Sequence, residues 1–235
     1  MKQLLTILFL ASFLFAKLDF KSKAYIITDI KKEQVVIKNS DLRKGQSGVI
    51  ISSGNNIPVI IATATVTKID GDNVLVKYKS EPLLDQNSIP TSKLTPKDGD
   101  IFLANHLYKT SVMIVPNFEA KQLLIKHFPD QNFINEDFLA SNLKLEKEPL
   151  PKKETIRKFC QKHQVGTIFL IASDKLFILD ANSFDVLEIQ YFATKDKTIK
   201  VPFFSKIDDI ERGFWNFGDE KIKDYNKYYL KMIGL

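Results

Sequence analysis

A glycine-flanked serine, GQSGV at 45–49, is the first place to look for a nucleophile. An acyl-transfer elbow needs G-x-S-x-G on a strand–turn–helix corner that exposes the hydroxyl. Here Val49 stands where the last glycine belongs, and β-branched residues follow, so the stretch reads as a turn feeding a strand. The histidines are His106, His127 and His163. None is four residues from another and no H-E-x-x-H occurs, so zinc would need ligands that only the fold gathers. His127 and His163 sit near apolar helix faces and read as partly buried, satisfied rings. Cys160 and His163 stand at i, i+3, where a thiol and its base can meet on a helix. A catalytic thiolate wants an electropositive helix start, whereas Cys160 sits in the middle of an apolar stripe and reads as core. Asp70-Gly71-Asp72-Asn73 and Asp98-Gly99-Asp100 lack the spacing and closing glutamate of a calcium loop and read as hairpin turns. Asp208, Asp209 and Glu211 suit a helix start, where the macrodipole favours anions. No glycine-rich phosphate loop occurs. The expectation is a chain with no catalytic residue, no metal site and no cofactor.

The residues that remain for chemistry are in the tail, KIKDYNKYYLKMIGL at 221–235. As a helix it places Ile222, Tyr225, Tyr229 and Met232 on one face. Lys223, Lys227 and Lys231 fall on another, four residues apart, where like charges repel by about 0.2–0.5 kcal/mol. Late in a helix those lysines also complement the negative end of the dipole. The tail therefore reads as a docking helix with a solvated lysine face, with Glu220 and Asp224 as neighbouring anions.

These residues need positioning elements. The chain opens with Lys2 and an apolar run from Leu4 to Phe15, closed by Ala16. Such a run spans about 18 Å as a helix against a hydrocarbon core of about 30 Å. It reads as a signal peptide over 1–16, although Leu14 stands where cleavage prefers a small residue. Lys17, not cysteine, follows, which excludes a lipid-modified cysteine there. Removing 16 of 235 residues leaves 219, enough for one large or two modest domains, and lowers the net charge from +6 to +5. Hydrophobic content of 44% and charged content of 26% are those of a folded globular protein. The arginines are only Arg43, Arg157 and Arg212, so the lysine excess argues for solubility or an acidic surface partner and against nucleic acid. A single cysteine cannot form an internal disulfide. Past the leader, no run is apolar for long enough to cross a membrane as a helix.

The first half reads as strands: AYIITDI and QVVIK around KKE, GVIIS and PVIIATATVTKI around SGNN, then NVLVKYK after DGD. Gly45 and Gly48 suit a turn or bulge. A proline-marked loop precedes IFLAN, and the whole suggests an antiparallel β barrel or sandwich over 17–105. From 106 to 235 the period changes. VMIVP reads as a buried strand. Asn117 caps a helix bearing Ala120, Leu123, Leu124 and Phe128, and Asn135 caps one turning Phe138, Leu139 and Leu143 inward. Ile156, Phe159, Cys160 and His163 mark a third. VGTIFLIA, KLFILDA and DVLEIQYF read as a second meander, and Ser205 with Asp208 resembles a capping box for a helix over SKIDDIERGFWNF. The fold class is α+β: an antiparallel β domain, then a mixed helix–sheet domain with C-terminal helices.

Taken in order, LRKGQSGVI, IPTSKL with DGDIFLANHLY, KFCQKHQVGTIFLI and FWNFGDEKIKDYNKYYLKMIGL resemble the N-terminal domain of the bacterial plasminogen-binding protein family. The resemblance runs over nearly the whole chain past the leader. It implies export, residence in the envelope or at the cell surface, and capture of host plasminogen through lysines. Kringle modules bind lysine in amphoteric pockets, with carboxylates for the ammonium, cations for a carboxylate and aromatic walls for the stem. Longer family members continue into a lysine-rich extension, whereas this chain stops at Leu235, so a C-terminal-lysine mechanism is not expected here. An internal lysine must borrow its anion, and Lys223, Lys227 and Lys231 with Glu220 and Asp224 are the residues placed to do so. The expected function is thus an exported non-enzymatic binding protein. The alternatives are a periplasmic scaffold that binds another envelope protein, and an unrecognised hydrolase.

Overall fold

The computed structural model describes residues 18–38, 40–54, 58–80, 94–208, 210 and 221–235. The segment read as a signal peptide, Asp209 and residues 211–220, including Glu220, lie outside the described residues.

The first half forms one antiparallel sheet of seven strands. They are β1 (Lys23–Ile26), β2 (Asp29–Lys31), β3 (Gln34–Lys38), β4 (Ser47–Ser52), β5 (Val59–Asp70), β6 (Asn73–Lys79) and β7 (Ile101–Ala104), in the order β1-β7-β4-β5-β6-β3-β2. The sheet curls into a half barrel because alternate side chains on every strand seek one core. Val35, Ile37, Ile50, Ala62, Ala64, Val66, Val74, Val76 and Phe102 fill it. AYIITDI is not one hairpin arm. It breaks at Ile27–Thr28, so that β1 pairs with β7 and β2 with β3. The two edge strands of the sheet are therefore consecutive in the chain. Ile27 donates to the Asp100 carbonyl and Thr28 to the Val36 carbonyl, each at 2.9 Å, and these bonds stitch the corner to both edges. Bringing two edges together leaves fewer unpaired backbone groups than an open sheet would.

Gly45 occupies the expected turn with φ +89°. Gly48 does not: it lies inside β4, opposite Ala64 and Ala104, where a Cβ would come within 2.2 Å of the Leu103 carbonyl oxygen. The glycine permits close approach of strands, not a turn. Asp70–Asn73 does form the β5–β6 hairpin turn. Asp98–Asp100 instead forms a turn ahead of β7. There the buried Asp100 carboxylate accepts from Lys97 N at 2.9 Å and Ser53 N at 3.0 Å.

The second sheet is mixed. Strands β8 (Thr110–Ile114), β9 (Asn132–Ile134), β10 (Thr167–Ala172), β11 (Lys175–Asp180) and β12 (Val186–Tyr191) lie in the order β12-β11-β10-β8-β9. β10, β11 and β12 make the expected meander, but β8 runs parallel to both β9 and β10. Helices α1 (Phe118–His127), α2 (Glu136–Leu145), α3 (Lys153–Lys162) and α4 (Tyr225–Met232) flank it. Its central strands are covered on both faces. Ile168 and Leu170 join the core under α2, α3 and α4, while Phe169 and Ile171 join the one under α1. This is why TIFLIA is an unbroken apolar run.

Asn117 and Asn135 cap α1 and α2 as expected, accepting from Ala120 N at 2.9 Å and Asp137 N at 3.0 Å. Phe138 does not turn inward. It is 60% exposed, and Ala140 takes the buried place beside Leu139 and Leu143. The apolar stripe of α2 is displaced by one residue from its expected phase. Leu123 of α1 is likewise at the surface. Residues 205–208 are not helical, so Ser205 and Asp208 form no capping box.

The two sheets meet at Asp180, the last residue of β11, which is fully buried. One of its oxygens accepts from Asn182 N at 2.9 Å and Ser183 N at 2.7 Å. The other accepts from Ser47 N at 3.0 Å, Ser47 Oγ at 2.5 Å and Tyr108 Oη at 2.7 Å. Around this junction Ser183 Oγ donates to the Gly45 carbonyl at 2.9 Å and Arg43 Nη1 to the Leu187 carbonyl at 3.1 Å. Removing the carboxylate takes the acceptor from two hydroxyls and from three backbone N–H groups, one of Ser47 and two of the Asn182–Ser183 turn. Asp180→Ala is expected to lower the unfolding free energy by about 3–5 kcal/mol, read as a fall in the urea midpoint. A loss under about 1 kcal/mol would show that the junction holds without it.

Candidate functional site

The tail is a docked helix. Asp224 caps it by accepting from Lys227 N at 2.9 Å, and Gly234, with φ +84°, ends it. Tyr225 and Tyr229 are buried, their ring centroids 4.7 Å apart, with Ile222 beside them. Three tyrosine hydroxyls find backbone acceptors. Tyr225 donates to the Ile114 carbonyl at 3.2 Å, Tyr228 to Pro151 at 2.8 Å and Tyr229 to Pro202 at 2.7 Å. Asn226 accepts from Ser173 N at 2.8 Å. The helix is thus fixed to β8, to the α2–α3 connection, to the segment after β12 and to the β10–β11 turn. Its buried face fixes its rotation about its own axis.

That rotation sends Lys227 and Lys231 to the exposed side, whereas Lys223, expected on the same helix, precedes the Asp224 cap and is exposed in the non-helical segment before it. Lys227 and Lys231 make no ion pair with any described carboxylate. Asp224 is exposed, with one carboxylate oxygen engaged as the cap. Glu220 lies outside the described residues.

The other sequence candidates are dispersed. Ser47 is the junction serine described above, not a nucleophile on an elbow. Burial pushes the Cys160 thiol well above its ordinary range, with the Asp180 charge adding to the shift, so it stays a protonated core thiol. His127 and His163 are exposed, not partly buried, and His163 is the C-cap of α3. Partial burial lowers the basicity of His106. Among the described residues no three His, Cys, Asp or Glu side chains stand close enough to hold a metal ion, and no helix is long and apolar enough to cross a membrane.

Sequence reading missed one feature, a cleft of about 630 Å³ between the two sheets. Its walls come from the outer face of β5 and β6 on one side and from α3 and the β11–β12 turn on the other. Only the pairing of distant segments creates it. A partial signal was there in ATATVTK, whose alternate threonines mark the outward face of β5.

The tail's docking predicts an alkaline response. Burial raises Tyr225 and Tyr229 well above their ordinary value, and pushes Tyr228 up to about 12. The unfolded chain then loses these protons first, so stability holds below pH about 10 and falls as pH rises above it. Tyr229→Phe is expected to cost about 1 kcal/mol at neutral pH by leaving the Pro202 carbonyl unpaired. It is also expected to shallow the alkaline fall, read by near-ultraviolet absorbance and denaturant melts. An unchanged alkaline slope would mean that Tyr229 titrates freely.

Comparison with known proteins places the chain in a family. Two curated relatives are each named plasminogen-binding protein PgbA, from Helicobacter pylori strains J99 and 26695. They are 26% and 25% identical over 208 residues, which is 87% of this chain but only 46% and 45% of theirs. The chain thus spans less than half the length of the curated relatives it matches. No solved structure matches it. The family described as plasminogen-binding protein pgbA N-terminal matches residues 22–233, from the first strand to the end of the docked helix. The chain belongs to that family.

Proposed function

We propose that this protein is an exported, non-enzymatic binding module of the bacterial envelope or surface, and that it takes plasminogen through the lysine face of α4. The observation that carries the reading is the division of α4 into a buried tyrosine face and an exposed side bearing Lys227 and Lys231, with exposed Lys223 just ahead of its cap. A kringle pocket takes an ammonium with an anion placed near it, and a fixed frame holds the two ready for it. Lys223 and Lys227 flank Asp224, and the three tyrosine anchors supply the frame. Holding the helix before binding removes part of the ordering cost that a free tail would incur. Glu220 is the second anion of the proposed ligand. The names of the relatives support plasminogen as the partner, and the signal peptide read over 1–16 supports export.

The test is binding of the purified mature protein to immobilised plasminogen with and without a free lysine analogue. The expected result is binding that the analogue abolishes and that the Lys223→Ala, Lys227→Ala, Lys231→Ala triple variant loses by about ten-fold or more. Asp224→Ser separates recognition from folding. Serine keeps the helix cap, so stability changes by less than about 0.5 kcal/mol, while loss of the anion weakens binding. Binding that survives both variants would move the site elsewhere on the chain. No binding at all would return the search to partners within the envelope.

A further inference from the structure

We infer that the cleft between the two sheets is a second, independent binding site, for an extended peptide segment carrying carboxylates at alternate residues. Two features of the cleft point there: its charge and its spacing.

The lining includes Lys77, Lys79, Arg157 and His106, and no carboxylate among the described residues. Lys79 has no carboxylate partner among the described residues. Lys77 has only the exposed Glu33 at 3.7 Å, a pair that solvent screens. Arg157 is held in place as a fixed cation. Its Nε donates to the Asn182 carbonyl at 2.7 Å, and its guanidinium carbon lies 5.6 Å from the Phe184 ring centroid. With Lys77 and Lys79 on one wall and Arg157 on the other, the cleft favours negative charge.

The spacing selects among anions. Lys77 and Lys79 are alternate residues of β6, so they share one face about 7 Å apart. Their register partners on β5 are Thr65 and Thr63, giving two parallel threonine–lysine rungs on the outer face of the sheet. The inward neighbours Ala64, Val66 and Val76 are in the barrel core, which fixes the rungs outward. A single phosphate or carboxylate meets both ammonium groups only if the two stems converge, whereas carboxylates at the same interval meet each stem where it stands. An extended peptide repeats its own same-face side chains at the same interval, because it shares the pleat. The opposite wall offers Gln161 and Gln164, whose amides both donate and accept as peptide groups require. Among the described residues no Phe, Tyr or Trp lines the cleft, so it lacks the broad platforms on which successive nucleobases stack. The volume, about 630 Å³, suits a short segment.

This site is distinct from the α4 surface: no residue of α4 lines the cleft. The experiment measures fluorescence anisotropy of a labelled, capped peptide with glutamate at every second position, titrated with the full mature protein. The same peptide with glutamine in place of glutamate is the control. The expected result is saturable binding of the glutamate peptide, at least about ten-fold tighter than the control and weakened by salt. Lys77→Gln with Lys79→Gln is expected to reduce it by about ten-fold, because both side chains are exposed and their loss leaves the fold unchanged. The α4 triple lysine variant is expected to bind the peptide normally. Equal affinity for the two peptides, or no measurable binding, overturns the proposal. Full binding by the β6 double variant does so too. A sulfated glycan fragment that displaces the peptide at lower concentration than unlabelled peptide does would assign the cleft to glycans and likewise overturn it.

Discussion

The fold turns on one carboxylate. Asp180 ends a strand of the second sheet and accepts five hydrogen bonds, two from its own turn and three from Ser47 and Tyr108. Burial disfavours the charged form, and the net effect raises its pKa. The donors work in the other direction, each lending stability to the anion. A group so placed is expensive to isolate and effective when fully paired. It sets the relative placement of the half barrel and the mixed sheet, because Ser47 begins β4 and Tyr108 precedes β8. The cleft opens directly beside this junction, with Ser47, Asn182 and Ser183 among its lining residues. Asn182 also reaches across to Thr65, its amide donating to the hydroxyl at 3.1 Å.

The same logic of polar anchoring fixes the tail. A helix of eight residues is too short to be stable alone. Its stability is tertiary, from the buried tyrosine face and from hydroxyls that satisfy carbonyls at three separate places. Tyrosine serves both requirements, since an apolar ring fills the core and the hydroxyl finds an acceptor. Phenylalanine would fill the same space and leave those carbonyls unpaired. Lys227 and Lys231 are exposed and make no ion pair with any described carboxylate.

Much of the scaffold was legible because local pattern and tertiary demand agree there. The β4–β5–β6 meander, both asparagine caps and the Tyr225–Tyr229 face follow from periodicity and turn chemistry. Departures came where a distant segment decides. AYIITDI has one continuous strand pattern, yet its halves pair with opposite sheet edges, and only barrel curvature dictates that. Phe138 looked like core because it fits the helical period, but the small Ala140 packs where the helix meets its neighbours. KLFILDA carries an aspartate at the end of an otherwise buried run, and that lone polar residue was the legible sign of the junction. Its partners, Ser47 and Tyr108, lie more than seventy residues away and carry no local mark. The lysine face was legible; the cleft was not, because no single segment contains it.

The two cationic surfaces ask different things of a partner, and lysine answers both. In the contact proposed at α4 a kringle pocket would take an ammonium, the compact point charge on a flexible stem that lysine carries. In the cleft Lys77 and Lys79 act as point charges on a pleated strand, where reach matters less than interval. The one arginine in the cleft, Arg157, is the cation that backbone carbonyls hold still. Its fork is used for positioning and the lysines for contact. A lysine-rich, arginine-poor surface is therefore consistent with recognition of carboxylate-bearing proteins on one side and of a lysine-binding protein on the other. Neither requires the bidentate phosphate contacts for which arginine is favoured.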